Sequence, residues 1–497
     1  MKKYVAVMAA VLAILAVGCA SSGAAPAAKA LAADVGITII HTNDMHGRGL
    51  ETATEVGYPK IAGYVEGLKA AGKNVLVLDA GDTIHGLPWV NLEKGAPVIK
   101  LMSAVGYDAM VPGNHDFNYG QDRLFELAKE AKFPILAANI YKDGARVLPA
   151  YTIKEVGGVR VAIVGLSTQE TTYKSDPSGL KGLVFEHPVG ELARLVRNEI
   201  AGLYDVLVVV SHIGLDGSSD PVSATLLESV PEIDLIIDGH SHTSLESARK
   251  TEPRIVSTGA NGVGFGVVEL TIGKDRKVAA MSAKTMTVKS EPALVSAAAV
   301  KAMTDEIQKA QAPLFAEVIG KSAVLLEGTR GIVRTTETNL GRLIAWGMKD
   351  AAGSDIAMMN GGGIRVSIPA GDITKGIMYT VLPFGNYVWS TTLKGSELDA
   401  LIEHGVGKLP DADGRYPHFA GLTFTLDATK PAGERVSNIM VNGVAVDPAK
   451  TYSFATLNFL FAGGDGYTML TGKSYKEFIM DADAFIKRLQ KIGTVVD

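Results

Sequence analysis

The chain has 497 residues, of which 47% are hydrophobic and 20% charged, and its net charge is −5. This length exceeds what one hydrophobic core usually serves, so we expect two domains. A slightly acidic chain without a basic cluster argues against a partner that is a nucleic-acid polymer.

The N-terminus predicts export. Lys2 and Lys3 precede an apolar run over residues 4–17, which is too short for a membrane span and typical of a signal peptide. We therefore predict a signal peptide over residues 1–18.

Cys19 follows that run and is the only cysteine in the sequence, so it cannot form an intramolecular disulfide. Its position resembles a bacterial lipobox, although Ala16 stands where such motifs usually have Leu. This predicts a lipidated Cys19, a flexible tether over residues 19–35, and anchoring to the cell envelope, with a mild preference for the outer membrane. An ordinary signal peptide cleaved nearby is the alternative.

In the first half of the chain, runs of β-branched residues alternate with helical apolar spacing, which indicates βαβ units and largely parallel sheets. The predicted strands cover residues 37–41, 75–78, 108–111, 134–137, 159–166, 206–210 and 235–237, and the predicted helices cover 58–71, 97–105 and 121–131. Shorter strand-like pieces follow over residues 255–289.

Side chains that can bind metals follow five of these runs. The candidate ligands are Asp44, His46, Asp82, Asn114, His212, His240 and His242. Open α/β sheets bind ligands at the carboxyl ends of their strands, so five such motifs in order are a strong signal. Asp44 and His46 are two residues apart and would point the same way in an extended segment.

Seven oxygen and nitrogen ligands are too many for one small ion that also holds a water, and they suit two ions that share a carboxylate. The lack of thiolates favours Zn, Mn, Co or Fe in an oxygen and imidazole site over a structural cysteine site. Two such ions would activate a bridging water for in-line attack on phosphorus. His115, beside Asn114, remains as an imidazole that can stabilise charge or protonate a leaving group. We expect His41, His85, His187, His404 and His418 to be structural.

An Ala-rich segment over residues 292–312 has helical spacing, and we place a connecting helix at residues 291–313. The second half lacks histidine clusters and instead has Gly-rich turns, two arginines and aromatic residues. Glycines let a backbone approach a ligand closely, arginine forks suit phosphate, and aromatic rings offer a stacking face for a base.

Together these motifs resemble the calcineurin-like metallophosphoesterases, and more closely the bacterial and animal 5′-nucleotidase family, from about residue 36 to the end. The resemblance implies an α/β fold, with a four-layer metallophosphoesterase sandwich over residues 36–290 and a smaller α/β nucleotide-binding domain over residues 314–497. It also implies two divalent metal ions and a nucleotide substrate.

The resemblance assigns roles to individual positions. Asp44, His46 and His242 match ligands of the first metal, Asp82 matches the bridging carboxylate, Asn114, His212 and His240 match ligands of the second metal, and His115 matches the catalytic histidine. In the second half, Arg334, Asn360 and Arg365 match polar substrate contacts, Phe384 and Phe459 match the pair that stacks on the base, and Asp465 matches a ribose contact. Ordinary core packing is the alternative for the two phenylalanines.

One position departs from the family pattern. Many 5′-nucleotidases have an aspartate three residues after the catalytic histidine, and this chain has Asn118. An asparagine can orient an imidazole but carries no charge to favour the imidazolium. Asn118 and the following Tyr119 and Gly120 also resemble relatives that act on 2′,3′-cyclic nucleotides.

The leading hypothesis is an exported, metal-dependent hydrolase of nucleoside 5′-monophosphates, with di- or triphosphates or nucleotide sugars as further substrates. A 2′,3′-cyclic-nucleotide 2′-phosphodiesterase with 3′-nucleotidase activity is the first alternative. A non-catalytic nucleotide-binding surface lipoprotein is the second. The sequence does not indicate the oligomeric state.

Overall fold

The computed structural model describes residues 29–496 except 173, 176, 216–218, 220 and 248–253. The predicted signal peptide, Cys19 and most of the tether lie outside the described residues. Within those residues, none of the helices is long and apolar enough to cross a membrane.

The first domain alternates strands and helices, as the apolar runs predict. Its strands are β1 (Val35–Thr42), β2 (Asn74–Asp79), β3 (Ala109–Met110), β4 (Ile140–Lys142), β5 (Ala145–Arg146), β6 (Tyr151–Val156), β7 (Val159–Ser167), β8 (Leu183–Phe185), β9 (Val206–His212), β10 (Leu235–Asp238), β11 (Ser244–Ser247), β12 (Ile255–Thr258), β13 (Gly264–Ile272) and β14 (Val278–Thr287). Its helices are α1 (Gly57–Ala70), α2 (Pro88–Asn91), α3 (Ala96–Val105), α4 (Gln121–Glu130), α5 (Pro188–Asn198), α6 (Ala224–Ser229) and α7 (Ala298–Phe315).

Two stacked sheets form the centre of this domain. In the described part of the chain, the first has the order β14-β13-β1-β2-β3 and the second the order β11-β12-β10-β9-β7-β6. β1, β2 and β3 are parallel in the first sheet, and β7, β9, β10 and β12 are parallel in the second. Antiparallel strands complete both sheets, so the sheets are mixed.

Three apolar clusters separate the layers. One, which includes Ile39 and Val208, fills the space between the sheets. A second covers the outer face of the first sheet with α1, α3 and α7, and a third covers the outer face of the second sheet with α5 and α6. This helix–sheet–sheet–helix stack is the predicted four-layer sandwich, and the prediction is confirmed.

The second domain has one main apolar core. Its strands are β15 (Val318–Ser322), β16 (Ile356–Asn360), β17 (Gly371–Thr374), β18 (Tyr387–Lys394), β19 (Pro417–Ala420), β20 (Leu422–Leu426), β21 (Val436–Val441), β22 (Val444–Ala445), β23 (Thr451–Leu457), β24 (Lys476–Met480) and β25 (Thr494–Val495). Its helices are α8 (Asn339–Ala352), α9 (Lys375–Val381), α10 (Gly395–Val406), α11 (Asn458–Phe461) and α12 (Asp481–Ile492). The central sheet has the order β19-β16-β23-β18-β24.

Two sequence predictions about individual elements are wrong. Residues 134–137 form no strand and contribute only an isolated bridge between Met110 and Ile135. The connecting helix begins at Ala298, because residues 288–297 form turns and Ala297 N–H donates to Pro59 O. It ends at Phe315, two residues later than predicted, and its last turn includes Pro313. The helix packs against α1 and α3 and so belongs to the first domain.

Candidate metal centre and substrate cleft

The seven predicted ligands lie at one edge of the two stacked sheets. They come at or just after the ends of five strands: β1 (Asp44, His46), β2 (Asp82), β3 (Asn114), β9 (His212) and β10 (His240, His242). These strands run parallel within each sheet, so their carboxyl ends meet at the same edge.

Two groups of ligand atoms form within this edge. The ligand atoms of Asp44, His46 and His242 lie within 4.8 Å of one another, and so do those of Asp82, His212 and His240. Asp82 also belongs to a third such group, with His46 and His115. Asp82 is therefore the carboxylate between the two groups.

Two pairs of ligand atoms lie so close together that a cation or a proton must lie between the atoms of each pair. Nε2 of His46 lies 3.1 Å from Nε2 of His242, and Nε2 of His212 lies 3.1 Å from Oδ2 of Asp82. Within the described residues, buried His212 Nε2 has no hydrogen-bond partner, while its Nδ1 donates to Ala80 O at 2.7 Å. Nε2 therefore faces the centre, where, against the effect of burial, Asp82 and Asp44 raise the pKa of His212 to about 10, and a metal ion can take the place of its proton.

Burial also keeps imidazoles in the form that binds metals. It lowers the pKa of His46 well below its usual value and lowers that of His240 to about 4. A neutral imidazole has a free lone pair, so these two side chains need no deprotonation to coordinate an ion at neutral pH.

The convergence of Asp44 and His46 has a different cause from the one we predicted. Neither residue is extended: their φ angles are +48° and +45°, and those of Asp82, His240 and His242 are also positive. Such backbone conformations cost about 1–3 kcal/mol each and cluster at functional sites. Left-handed turns, rather than a shared strand face, aim these side chains inward.

A buried carboxylate holds the loop that carries Asp82. Asp116 accepts hydrogen bonds from the backbone N–H groups of Asp82, Thr83, Ile84 and Gly113, at 2.8–2.9 Å. Asp116 was not among the functional residues predicted from the sequence.

Glu170 is a second residue that the sequence analysis missed. Its Oε2 lies 2.6 Å from Nε2 of His240 and 2.6 Å from Nζ of Lys174. Nδ1 of His240 lies 2.9 Å from Oδ1 of Asn114. A carboxylate that accepts from one ring nitrogen turns the other toward a metal and raises its basicity. The sequence signal that could have identified Glu170 is its position just after β7, at the same edge of the sheets.

His115 and Asn118 are brought together beside this centre. Nδ2 of Asn118 lies 3.1 Å from Nδ1 of His115, and Nε2 of His115 lies 4.0 Å from Oδ2 of Asp82. The His115 backbone N–H donates to Oδ1 of Asp82. Burial lowers the pKa of the His115 imidazole to about 4. The ring thus has one nitrogen toward the centre and one toward Asn118.

The second domain lies directly over His115. The Tyr387 ring stacks on the His115 ring with centroids 4.3 Å apart, and its hydroxyl lies 2.5 Å from Nδ1 of His85. His85 was predicted to be structural, and here it links the domains. A cavity of about 170 Å³ separates the His46, His115 and His242 side from a wall formed by Phe384–Tyr387 and Asn458.

The predicted base-stacking phenylalanines are not core residues. Phe384 is 50% exposed and Phe459 is 43% exposed. The Arg365 guanidinium lies over the Phe384 ring at 5.4 Å. Phe384 lines the cavity beside the predicted metal centre, whereas Phe459 packs against Gly464, outside the wall of that cavity.

The other predicted substrate contacts form a neighbouring cluster. Nδ2 of Asn360 donates to Oδ2 of Asp465 at 2.7 Å. Burial lowers the pKa of Arg334, and the nearby cations of Arg330 and Arg365 lower it further. Among the described residues, Nε of Arg334 is buried without a partner. Arg330, four residues before Arg334, was missed, and concentrated positive charge here suits an anion.

Comparison with known proteins agrees with this architecture. Residues 37–244 match the calcineurin-like phosphoesterase family, and residues 318–472 match the 5′-nucleotidase C-terminal domain. The chain is 31% identical to protein UshA of Yersinia enterocolitica, over 92% of this chain and 91% of UshA. The chain belongs to the 5′-nucleotidase family.

Two further relatives extend this result. The crystal structure of the 5′-nucleotidase precursor from Thermus thermophilus is 30% identical, with a TM-score of 0.57 over 93% of this chain and 97% of that one. The trifunctional nucleotide phosphoesterase protein YfkN of Bacillus subtilis is 30% identical over 93% of this chain, which spans 34% of YfkN. Membership of the 5′-nucleotidase family makes the chain a metal-dependent phosphoester hydrolase.

Proposed function

We propose that this 5′-nucleotidase family member releases phosphate from nucleoside 5′-monophosphates. One observation carries the proposal: a single cleft has His46, His115 and His242 on one side and the exposed ring of Phe384 on the other. A phosphate at the histidine side and a base at the aromatic side would occupy the two ends of one nucleotide.

We propose that two divalent ions, Zn, Mn, Co or Fe, are held by the seven ligands, with Asp82 between them. Such a pair would supply an activated water nucleophile at neutral pH and would neutralise charge on the phosphoryl oxygens. The Asn118 amide N–H faces Nδ1 of His115, which leaves the ring proton on Nε2. The Nε2–H of His115 points toward the predicted metal centre and can donate to a phosphoryl or leaving-group oxygen.

The second domain would bind the rest of the substrate. Arg334 and Arg365 carry charge that suits phosphate, and Asn360 and Asp465 form a polar pair that suits ribose hydroxyls. Phe384 and Phe459 offer exposed rings for the base. Because these groups and the metal ligands lie in different domains, we propose that a domain movement about α7 admits the nucleotide.

The test is hydrolysis of AMP, 3′-AMP and 2′,3′-cyclic AMP measured side by side with added Mn²⁺ or Co²⁺. Release of phosphate from AMP at the highest kcat/KM supports the proposal. Hydrolysis of the cyclic and 3′ substrates alone would overturn it in favour of the cyclic phosphodiesterase alternative. Asn118, which stands at the position of the family aspartate, is the observation that supports the cyclic phosphodiesterase alternative. Equal rates for wild type and Asp82→Ala would favour a non-catalytic binding protein.

We propose that the chain is exported and anchored to the cell envelope through Cys19. The basic start, the apolar run over residues 4–17 and the position of Cys19 support this. Metabolic labelling with palmitate should mark the wild-type chain and not Cys19→Ser. Labelling of both, or of neither, would contradict the lipid anchor.

A further inference from the structure

A buried carboxyl group of the second domain contacts His115. Oε1 of Glu477, in β24, lies 3.4 Å from Nδ1 of His115, and the Glu477 side chain is 1% exposed. Within the described residues, this Oε1 has no hydrogen-bond partner. This buried oxygen therefore faces the imidazole, on the nitrogen that also faces Asn118.

The other oxygen of the same carboxyl is fixed. Oε2 of Glu477 accepts a hydrogen bond from Nε1 of Trp389 at 2.7 Å. The Trp389 ring is held by stacking on Tyr475, with centroids 3.5 Å apart and planes within 7°. Since the indole N–H can only donate, it keeps an acceptor on its side and leaves Oε1 for His115.

We propose that Glu477 is a positioning residue that reaches across the domain interface and fixes the His115 ring for the phosphoryl transfer described under Proposed function, on which this inference rests. It contributes from the second domain the carboxyl contact that position 118 lacks. Burial raises the pKa of the Glu477 carboxyl well above its usual value, which favours the protonated carboxyl, the form that can donate toward Nδ1. The Asn118 amide donates to the same nitrogen.

This arrangement ties catalysis to the position of the domains. Glu477 and Tyr387 both belong to the second domain, and both contact the His115 ring. His115 therefore acquires its full set of contacts only when the two domains meet. Opening the cleft would release the ring from both contacts at once.

The first test compares Glu477→Ala with Glu477→Gln in the full, metal-loaded chain. Glutamine can accept from Trp389 through its oxygen and donate to His115 through its N–H, whereas alanine does neither. Glu477→Ala should lower kcat about tenfold with KM within about twofold, and Glu477→Gln should keep most of kcat. Equal losses in the two variants, or no loss in either, would overturn the proposal.

The second test separates positioning from folding. In a His115→Ala background, Glu477→Ala should lower the residual rate no further, because the ring that it positions is gone. The matched control is Glu403, a buried carboxylate of the same domain that accepts from the backbone N–H groups of Gly433 and Val436. Glu403→Ala should change the rate by the same factor with or without His115. If Glu477→Ala behaved like this control, the proposal would fail.

A third readout is independent of the substrate. In the Zn²⁺-loaded protein labelled with [¹⁵N]histidine, the His115 Nδ1 resonance should shift in Glu477→Ala and lie near its wild-type position in Glu477→Gln. The resonance is assigned by its loss in His115→Ala. An Nδ1 signal that is the same in wild type and Glu477→Ala would refute the contact. This result stands even if AMP proves not to be the substrate.

Discussion

The two domains present their functional groups in opposite ways. At the edge of the first domain, Asp44, Asp82 and His212 are at most 1% exposed, and the first two have positive φ. The loops of the second domain instead leave Phe384 and Phe459 about half-exposed. Tightly held cations favour ligands fixed in advance, whereas a flat base needs open apolar surface before it arrives. These predicted metal ligands are therefore fixed by burial, whereas the predicted base-stacking rings stay accessible to solvent.

The largest effect should come from Asp82, the carboxylate shared by the ligand groups. Asp82→Ala should lower kcat on the order of a thousandfold and reduce the metal content, because two of the three ligand groups contain Asp82 and each would lose a member. Steady-state assays and elemental analysis of the purified protein measure this. Asp234→Ala is the control, since that carboxylate accepts from the Leu207 N–H and belongs to none of the three ligand groups. A metal content equal to that of wild type would contradict the shared-ligand role.

A smaller effect should follow from loss of Glu170, which contacts the predicted ligand His240 from outside the centre. Glu170→Ala should weaken metal binding about 10- to 100-fold, because the His240 ring loses the carboxylate that orients it. Calorimetric titration with Zn²⁺ measures the affinity. Glu199→Ala, which breaks a surface pair with Arg146, should leave it unchanged. If both variants bind Zn²⁺ alike, Glu170 has no role at the centre.

The exposed rings should affect binding of the base more than chemistry. Phe384→Ala and Phe459→Ala should each raise KM for AMP about tenfold with little change in kcat, since stacking on a base contributes about 1–3 kcal/mol. Ribose 5-phosphate, which has no base, should show almost no change. Val444→Ala, which removes an exposed apolar side chain elsewhere in the second domain, is the control. A similar rise in KM for both substrates would argue against stacking.

His418, in the core of the second domain, should have the smallest effect on catalysis and should instead affect the stability of the protein. Burial lowers its pKa to about 4 from 6.5, and its two nitrogens contact the Thr338 N–H and Val333 O. The unfolded chain therefore binds the extra proton first, so the free energy of unfolding should fall as the pH drops from about 6.5 to 4. Denaturant unfolding across this range measures the slope, and His418→Gln should flatten it. Identical slopes would show that His418 is not the group that titrates.

Much of the first domain could be predicted because its signals are local. β-Branched runs followed directly by Asp, Asn or His indicate both a strand and its functional end, and the structure brings those side chains together. The predicted reason for Asp44 and His46 was nevertheless wrong, because left-handed turns, and not strand alternation, aim them inward. Hydrogen bonds between loops hold those turns, such as the one from the Asp44 N–H to Gly81 O, and these have no sequence signature.

Several of the residues that were missed act through a partner distant in the chain. Glu170 reaches His240 across 70 positions, and Tyr387 reaches His85 across 302. A glutamate or tyrosine in an ordinary run of sequence gives no sign of such a contact. The start of the connecting helix was misplaced for a related reason, since the turns before Ala298 are fixed by packing on α1.

The sequence by itself determined the two-domain α/β plan and the set of candidate metal ligands, because strand periodicity and ligand chemistry are properties of short segments. Only the tertiary structure decided which groups surround those side chains. The placement of Asp116, Glu170 and Glu477 depends on how separate layers and domains pack, because that packing brings each carboxyl group to its partner.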